Sequence, residues 1–255
     1  MKSIWLVAKN TLKEILRDRI LYGLVILGLF LIMSSLLLGE LSFAEQGRIV
    51  TNMGLVAAEI SCSLLAIFIG SSLVYKEIER QTILTILSKP VTRTQFLLGK
   101  VLGLTLVIVL VDILISGFLA LICSQYGTVH WTQFVWTQTG VMFESFLTLL
   151  VALFFGVFCK PTLGAVYTFS FWIIAHIMSD FNYFVQKNSN PIVTFVGSAL
   201  YRAIPNFQKF QFKEAVIYGD LLEYVHLKSM FFTTLGWSIL LLALTDRIFR
   251  TRDFT

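Results

Sequence analysis

The chain has 255 residues, of which 56% are hydrophobic and only 14% are charged, and its formal net charge at pH 7 is +5. A water-soluble domain of this length could not bury so much apolar surface, so the composition excludes a soluble protein and indicates that lipid is the solvent. The basic excess is explained by an anionic membrane surface, and it gives no indication of nucleic-acid binding.

Residues 1–19 predict an amphipathic helix that lies at the membrane surface as an elbow before the first span. Its apolar residues recur at a spacing of three to four, and its basic residues face the other way. The apolar face consists of Ile4, Trp5, Ala8, Leu12, Ile15 and Leu16, and the basic face of Lys2, Lys9, Lys13 and Arg17. We expect this helix to anchor the chain, with contact to a partner protein as the further alternative.

Six apolar runs follow, and each is long enough to cross a bilayer, because roughly 20 helical residues span a hydrocarbon core of ~30 Å. In chain order these six spans cover residues 20–39, 53–75, 97–123, 139–159, 163–181 and 229–245. The sequence therefore predicts an all-α membrane protein with six transmembrane helices, built as a single transmembrane domain over residues 1–255.

The Lys and Arg residues indicate which side of the membrane each connection faces, because cytosolic connections carry an excess of them. With the N-terminus inside, fourteen of the twenty Lys and Arg residues fall on the inner side. Five of the other six belong to the long connection between spans five and six, where the rule counts least. We therefore predict a multi-pass protein of a bacterial cytoplasmic (inner) membrane, with both termini in the cytosol.

The connection over residues 76–95, KEIERQTILTILSKPVTRTQ, is the most informative polar segment. Its apolar stripe predicts a short helix that Pro90 ends, since the residue before a proline is disfavoured in the helical region. A second helix then begins with a capping box, in which Thr92 is the N-cap and Gln95 lies three residues on. A broken, charged projection of this kind is suited to binding a subunit or receiving force, and a solvated hairpin is the alternative.

Three stretches of the sequence resemble permeases of ABC transporters of the type-two, exporter-like class. The stretch KEIERQTILTILSKPVTRTQFLLGKVLG is similar to the cytosolic signature before the third span of that family. The opening NTLKEILRDRILYGL and the later LYRAIPNFQKFQFKEAVIYG resemble its elbow with the first span and its outer-loop segment. The matching positions of the signature are Glu77, Glu79, Thr82, Ile83, Leu87, Lys89, Pro90, Val91, Arg93, Phe96, Gly99 and Lys100.

The resemblance implies two permease copies, identical or different, that work with two cytosolic ABC ATPase subunits bound at a coupling helix within residues 76–95. The implied ATPase-contact residues are Glu77, Glu79, Arg80, Thr82, Lys89, Pro90 and Arg93. ATP and magnesium would bind to the ATPase partner, and no cofactor is expected on this chain. The chain has no phosphate-binding loop, because Thr94 stands where a glycine is required before Gly99–Lys100, and Val101 follows the lysine.

Asp112 lies near the middle of span three, where an ionisable side chain costs several kcal/mol unless it is paired or hydrated. We therefore predict Asp112 as a candidate pathway residue, and a bridge between packed helices is the alternative. Glu59, Glu144 and Asp180 lie near the predicted outer ends of their spans. They are interpreted as side chains that neighbouring helices or water satisfy.

Small and sulfur-containing residues in the spans are interpreted as packing residues. Gly99 and Gly103 form a GxxxG pattern, which more often reports close helix packing than chemistry. Cys62, Cys123 and Cys159 have no metal-type spacing. The residues that could share the outer side, Cys123, His130, His176 and Asp180, are scattered along the chain, so no metal site is predicted.

Residues 184–227 form a long predicted outer connection. Within it, residues 192–204 are mostly apolar but too short to span a membrane, and Pro205 follows. This pattern predicts a short re-entrant helix, with a helix lying on the bilayer as the alternative. In the resembled family, such helices cap the translocation path from outside.

The resemblance and the six spans predict a permease subunit of an ATP-driven exporter, with the path between two permease copies. A scaffold that relays ATPase motion to an outer-side partner, without moving a solute, is the alternative. A membrane-embedded enzyme is a weaker alternative, because no nucleophile and base lie on facing spans and the three histidines lie at or beyond predicted outer ends. The chain itself is expected not to be an enzyme.

Overall fold

The computed structural model describes residues 2–41, 45–79, 92–126, 129–188, 190–219 and 224–251. These residues form helices and short connections, and no strand occurs among them. The helices are α1 (Lys2–Ile15), α2 (Arg19–Glu40), α3 (Gln46–Glu79), α4 (Arg93–Cys123), α5 (Trp131–Phe158), α6 (Pro161–Lys187), α7 (Pro191–Ala203), a 3-10 helix (Phe207–Phe210), α8 (Lys213–Tyr218) and α9 (Tyr224–Thr251).

Six of the described helices, α2 to α6 and α9, are long and apolar enough to cross a membrane. The prediction of an all-α membrane protein with six transmembrane helices is confirmed. Most of these helices extend beyond the apolar run that predicted them, and α3 begins at Gln46 rather than near Met53. The reason is that a helix keeps its backbone hydrogen bonds internal, so it can continue past the apolar run into the polar headgroup region.

Helices α3 and α5 form the centre of the bundle, and their neighbours bury most of their side chains. Helix α3 packs against α2, α4, α5 and α6, and α5 packs also against α9. The two central helices pack closely at Gly70, which lies against Ala152 and Leu149. Helices α2, α6 and α9 lie at the periphery and expose apolar side chains, as expected where lipid or another membrane subunit is the neighbour.

The capping box predicted before span three is present at the start of α4. The hydroxyl of Thr92 accepts a hydrogen bond from the backbone N–H of Gln95 at 3.3 Å, and the Gln95 side chain accepts one from the Thr92 N–H at 3.3 Å. Both bonds satisfy N–H groups that a helix start leaves unpaired. The predicted break at Pro90 lies in residues 80–91, outside the described residues.

Helix α1 packs along the first turns of α4, where Gly99 lies against Val7 and Gly103 lies against the backbone of Ala8. The GxxxG pattern therefore serves close helix packing, as the sequence predicted. The predicted apolar face of α1 is only partly buried, because Ala8 is fully buried on α4 whereas Trp5 is 61% exposed. The exposed residues are free to contact the membrane surface, and the position of α1 at that surface stays a prediction.

Substituting Gly103→Leu is expected to displace α1 from α4. An added Cβ would lie 2.7 Å from the carbonyl oxygen of Ala8 and 2.7 Å from Thr11 Cβ, and overpacking of this kind costs about 1–3 kcal/mol. Thermal unfolding of the purified protein in detergent measures the loss. The matched control is Gly117→Leu on the same helix, where nothing lies within 4 Å of an added Cβ. An equal loss in both variants would contradict the packing role.

Candidate functional site

Residues 204–219 fold back into one end of the helix bundle, and we call them the 204–219 segment. The distribution of Lys and Arg residues predicts that this end faces outside. The segment contains the 3-10 helix and α8, and between them these two elements contact α3, α5, α6 and α9. Phe207 and Phe210 of the segment are fully buried. The carbonyl oxygen of Phe210 lies directly against Gly140 of α5, in a position that leaves no room for a side chain there. The segment is therefore part of the packed interior.

Local hydrogen bonds explain why the chain turns back at this point. The predicted helix over residues 192–204 is observed as α7, and Asn190 caps its start. After Pro205, the Asn206 side chain accepts a bond from the Gln208 N–H at 3.0 Å and donates one to Ser179 of α6 at 2.5 Å. Gly219 ends α8 at φ 76°, in the left-handed region that favours glycine. The re-entrant position of α7 stays a prediction.

Four ionisable side chains meet where the 204–219 segment enters the bundle. They form the charge cluster: Glu59 of α3, Glu144 of α5, His176 of α6 and Lys213 of α8. His176 Nε2 lies 2.9 Å from Glu59 Oε1 and 3.5 Å from Glu144 Oε1. The ammonium of Lys213 pairs with Glu59 Oε2. The cluster therefore joins three membrane helices to the segment.

Neutral donors complete the surroundings of both carboxylates. Gln211, also in the 204–219 segment, donates to Glu59 Oε1 at 2.8 Å. Glu144 Oε1 accepts the indole N–H of Trp172 at 3.0 Å and the hydroxyl of Ser63 at 3.3 Å. Apart from His176, the two carboxylates thus have four partners among the described residues. Lys213 and Gln211 come from the segment, and Trp172 and Ser63 come from the membrane helices. At the charge cluster, the segment is therefore bound to Glu59, through Lys213 and Gln211.

The cluster lies deep in the bundle. The side chains of Glu59 and Glu144 are only 4% and 1% exposed, and those of His176 and Lys213 are 18% and 17% exposed. Buried charges are tolerated only when they are paired and hydrogen-bonded, and breaking such a pair is strongly unfavourable. The arrangement is therefore suited to hold the segment in place.

The helix bounds show how far these residues lie from the ends of their helices. Glu59 and Glu144 each lie 13 residues after the start of their helix, and His176 lies 11 residues before the end of its own. These separations amount to about three to four helical turns, because the helices continue past the ends of the apolar runs. The position of His176 near the outer end of its span stays a prediction.

Sequence reasoning treated Glu59 and Glu144 as separate, satisfied side chains and missed that they meet. It also gave no role to Lys213. A signal was present, since Glu59, Glu144 and His176 lie at a similar depth below the same end of three spans. That similarity in depth can indicate a contact between the three residues only when the bounds of the helices are known.

Asp112, the predicted pathway residue, lies apart from the charge cluster. Its side chain is buried where α4 packs on α3, and the thiol of Cys62 donates to its carboxylate at 3.7 Å. Cys123 is likewise buried beside the hydroxyl of Thr51. The position of Asp112 fits the helix-bridging alternative, and its role in a pathway stays a prediction.

Three of the predicted ATPase-contact residues are described, and they lie at the opposite end of the bundle from the 204–219 segment. Glu77 and Glu79 belong to the last turns of α3, and Arg93 begins α4. Arg80, Thr82, Lys89 and Pro90 lie outside the described residues. Contact with an ATPase stays a prediction for all seven.

The residues that the sequence analysis weighed as metal ligands, among them His130 and Asp180, do not come together as a group within the described part of the chain. There, the group with ligand atoms close enough for a metal ion is Glu59, Glu144 and His176, whose ligand atoms lie within 4.8 Å of one another. Residues far apart in sequence thus form a cation-compatible arrangement that spacing alone could not indicate.

Comparison with known families gives one match that covers nearly the whole chain. A family model described as "ABC-2 family transporter protein" matches residues 5–254. No curated protein sequence matches the chain. The matched residues include all six membrane helices and the whole 204–219 segment.

Proposed function

We propose that this chain, which belongs to the ABC-2 family of transporter proteins, exports a substrate through a path between two permease copies, driven by ATP hydrolysis on partner subunits. Family membership and the six apolar helices make it an integral, multi-pass permease subunit of an ABC transporter, a component that associates with ABC ATPases. What we propose beyond this is that transport is outward, that two permease copies form a dimer, and that the substrate path lies between them.

The observation that supports export is the docked 204–219 segment. An exporter must keep its outer end closed while substrate enters from the cytosolic side. The segment fills the predicted outer end with Phe207 and Phe210 and is tied to Glu59. We assign it the role of the closed outer gate.

Helix α3 provides a mechanical connection between the ATPase and this gate. It is continuous over 34 residues, from Gln46 to Glu79, and it carries Glu59 on the way. From Glu79 to Glu59 the helix covers about 30 Å at 1.5 Å per residue. A movement of the ATPase at residues 76–95 would therefore displace the carboxylate that holds the segment.

The proposal predicts that Glu79→Lys and Arg93→Glu weaken association with the ABC ATPase while membrane insertion stays intact. The reason is that each variant reverses a charge at the predicted contact. Co-purification of the ATPase with the tagged permease measures the effect. Glu40→Lys, an exposed charge reversal at the other end of the bundle, is the matched control. Wild-type ATPase yield with both test variants would contradict the coupling role.

A scaffold that only relays ATPase motion would show the same association. Inside-out vesicles that contain permease and ATPase distinguish the two functions, because an exporter accumulates its substrate in such vesicles when ATP is added. A complex that hydrolyses ATP but accumulates none of the solutes offered would favour the scaffold.

A further inference from the structure

A cavity of about 460 Å³ lies between α7, the 204–219 segment and α9. Its volume falls within the ~300–1,000 Å³ that is typical of ligand pockets. Helix α7 packs on α6, whereas α9 packs on α4, α5 and the 3-10 helix, so the walls of the cavity are held by different parts of the bundle. None of the four side chains of the charge cluster lines it. The cavity is therefore a separate place at the predicted outer end where a ligand could bind.

Two basic side chains line this cavity. Arg202 lies in the last turn of α7 and Lys209 in the 3-10 helix, and both are exposed. Among the described residues, neither forms a salt bridge, and no Asp or Glu lines the cavity. A guanidinium pairs with phosphate through two parallel N–H···O bonds, and an ammonium adds a second positive charge. The positive charge of these two residues is therefore available to an anion.

A neutral donor lies beside the two cations. Tyr201 lines the cavity, and its hydroxyl oxygen accepts a hydrogen bond from the Asn206 side chain at 3.4 Å. A tyrosine hydroxyl can both accept and donate, so its own hydrogen is left for an oxygen atom of a ligand. Tyr201, Arg202 and Lys209 thus combine one neutral donor with two cationic ones. This donor set suits a phosphate group, which has several acceptor oxygens and a negative charge.

The opposite wall of the cavity is apolar and belongs to α9. Phe232, Gly236 and Leu240 are four residues apart, so they lie on one face of that helix. From Phe232 to Leu240 this face covers about 12 Å at 1.5 Å per residue, more than a third of a hydrocarbon core of ~30 Å. Phe232 and Leu240 are 69% and 46% exposed, and an added Cβ at Gly236 would meet nothing within 4 Å. The wall is therefore open to an alkyl chain along its length.

We propose that this cavity binds an anionic phospholipid of the membrane, with the phosphate at Tyr201, Arg202 and Lys209 and one acyl chain along α9. A ligand with a negative headgroup and an alkyl chain matches both walls. A soluble phosphate ion would leave the apolar wall uncovered, whereas burying apolar surface against an acyl chain is favourable. A zwitterionic lipid carries a cation of its own, which the two basic residues repel. Charge complementarity therefore selects an anionic lipid.

The test is whether an anionic lipid contacts Trp237 in preference to a zwitterionic lipid. Trp237 lines the cavity on α9, and brominated acyl chains quench the fluorescence of an indole that they touch. The full chain is reconstituted in phosphatidylcholine vesicles with increasing fractions of brominated phosphatidylglycerol or brominated phosphatidylcholine. The quenching that disappears in the Trp237→Phe protein reports the cavity. The measurement needs neither ATP nor an ATPase, so its outcome is independent of the proposed export function.

Brominated phosphatidylglycerol is expected to reach half-maximal quenching of Trp237 at a mole fraction at least about tenfold lower than brominated phosphatidylcholine. The reason is that each Lys or Arg near an anionic lipid strengthens binding by about fivefold, and the cavity has two. Arg202→Gln and Lys209→Gln should therefore each reduce the preference by about fivefold. The matched control is Lys228→Gln, which removes an exposed lysine of α9 that does not line the cavity and should keep the preference.

Filling the cavity separates a defined site from diffuse surface charge. Gly236→Leu places an alkyl branch on the apolar wall and leaves Arg202 and Lys209 unchanged, so it should remove most of the preference. Gly117→Leu, at an exposed position of α4 with equal open space, should keep it. A wild-type preference in the Gly236→Leu protein overturns the proposal, and so does an equal loss in Lys228→Gln and Lys209→Gln. If inorganic phosphate at constant ionic strength abolishes the preference, the ligand is a free anion and the phospholipid assignment is overturned.

Discussion

Replacing Glu59 by leucine is expected to lower the free energy of unfolding by about 3 kcal/mol. The substitution removes the carboxylate that holds His176, Lys213 and Gln211, and it leaves buried cations without their partner. Breaking a buried ion pair costs roughly 3–5 kcal/mol. We expect the lower end of this range because Lys213 is 17% exposed and can turn toward water. Thermal unfolding in nanodiscs measures the loss.

The combined variant Glu59→Leu with Lys213→Met separates a charge effect from a packing effect. Removing both partners leaves no unpaired lysine, so the double variant should be more stable than Glu59→Leu alone. Glu40→Leu, an exposed glutamate at the end of α2, serves as the control. If the two single substitutions simply added, the ion pair would not hold the segment.

The substitution Gly140→Val is expected to expel the 204–219 segment from the bundle. Its first side-chain atom would occupy the position of the Phe210 carbonyl oxygen, which belongs to the backbone and cannot rotate away. Nearby, the hydroxyl of Thr137 donates to the Phe212 carbonyl at 3.2 Å, so the backbone of the segment is also held two residues beyond the contact. Overpacking costs about 1–3 kcal/mol, enough to change the docking equilibrium by a factor on the order of ten to a hundred.

Maleimide labelling at Val216→Cys measures this release, because Val216 of α8 is fully buried in the docked segment. The label should react slowly in the parent protein and at least about tenfold faster with Gly140→Val. Gly117→Val introduces the same side chain in a membrane helix where the space is open, and it should leave the labelling rate unchanged. Slow labelling in the Gly140→Val protein would show that the segment is not held by this contact.

The two predictions concern two different contacts of the 204–219 segment with the bundle. Glu59 supplies the electrostatic tie of the segment, and Gly140 supplies the space that the segment occupies. If the segment is the outer gate, both variants should also uncouple ATP hydrolysis from transport, because a gate that cannot close lets the substrate return. A stable segment with free solute leakage would place the gate elsewhere.

Local sequence patterns were enough to predict the class, the six spans and several helix starts and contacts. Hydropathy over about 20 residues is a local property, because every stretch that crosses lipid must be apolar and helical whatever it packs against. The capping box at Thr92 and Gln95 and the helix over residues 192–204 are likewise local, since they depend on neighbours within a few residues. The GxxxG pattern at Gly99 predicted close packing, although it could not name α1 as the partner.

Which polar residues meet depends on how the helices pack in three dimensions. Lipid chains are as apolar as leucine, so a span shows little difference between its buried face and its lipid-facing face. The sequence therefore could not tell that Glu59, Glu144 and His176 turn toward one another while Asp112 turns toward Cys62. Lys213 lies in a polar connection, where a lysine normally indicates solvent. Its burial against Glu59 follows from the return of the 204–219 segment into the bundle, a contact across more than 150 residues that no local pattern encodes.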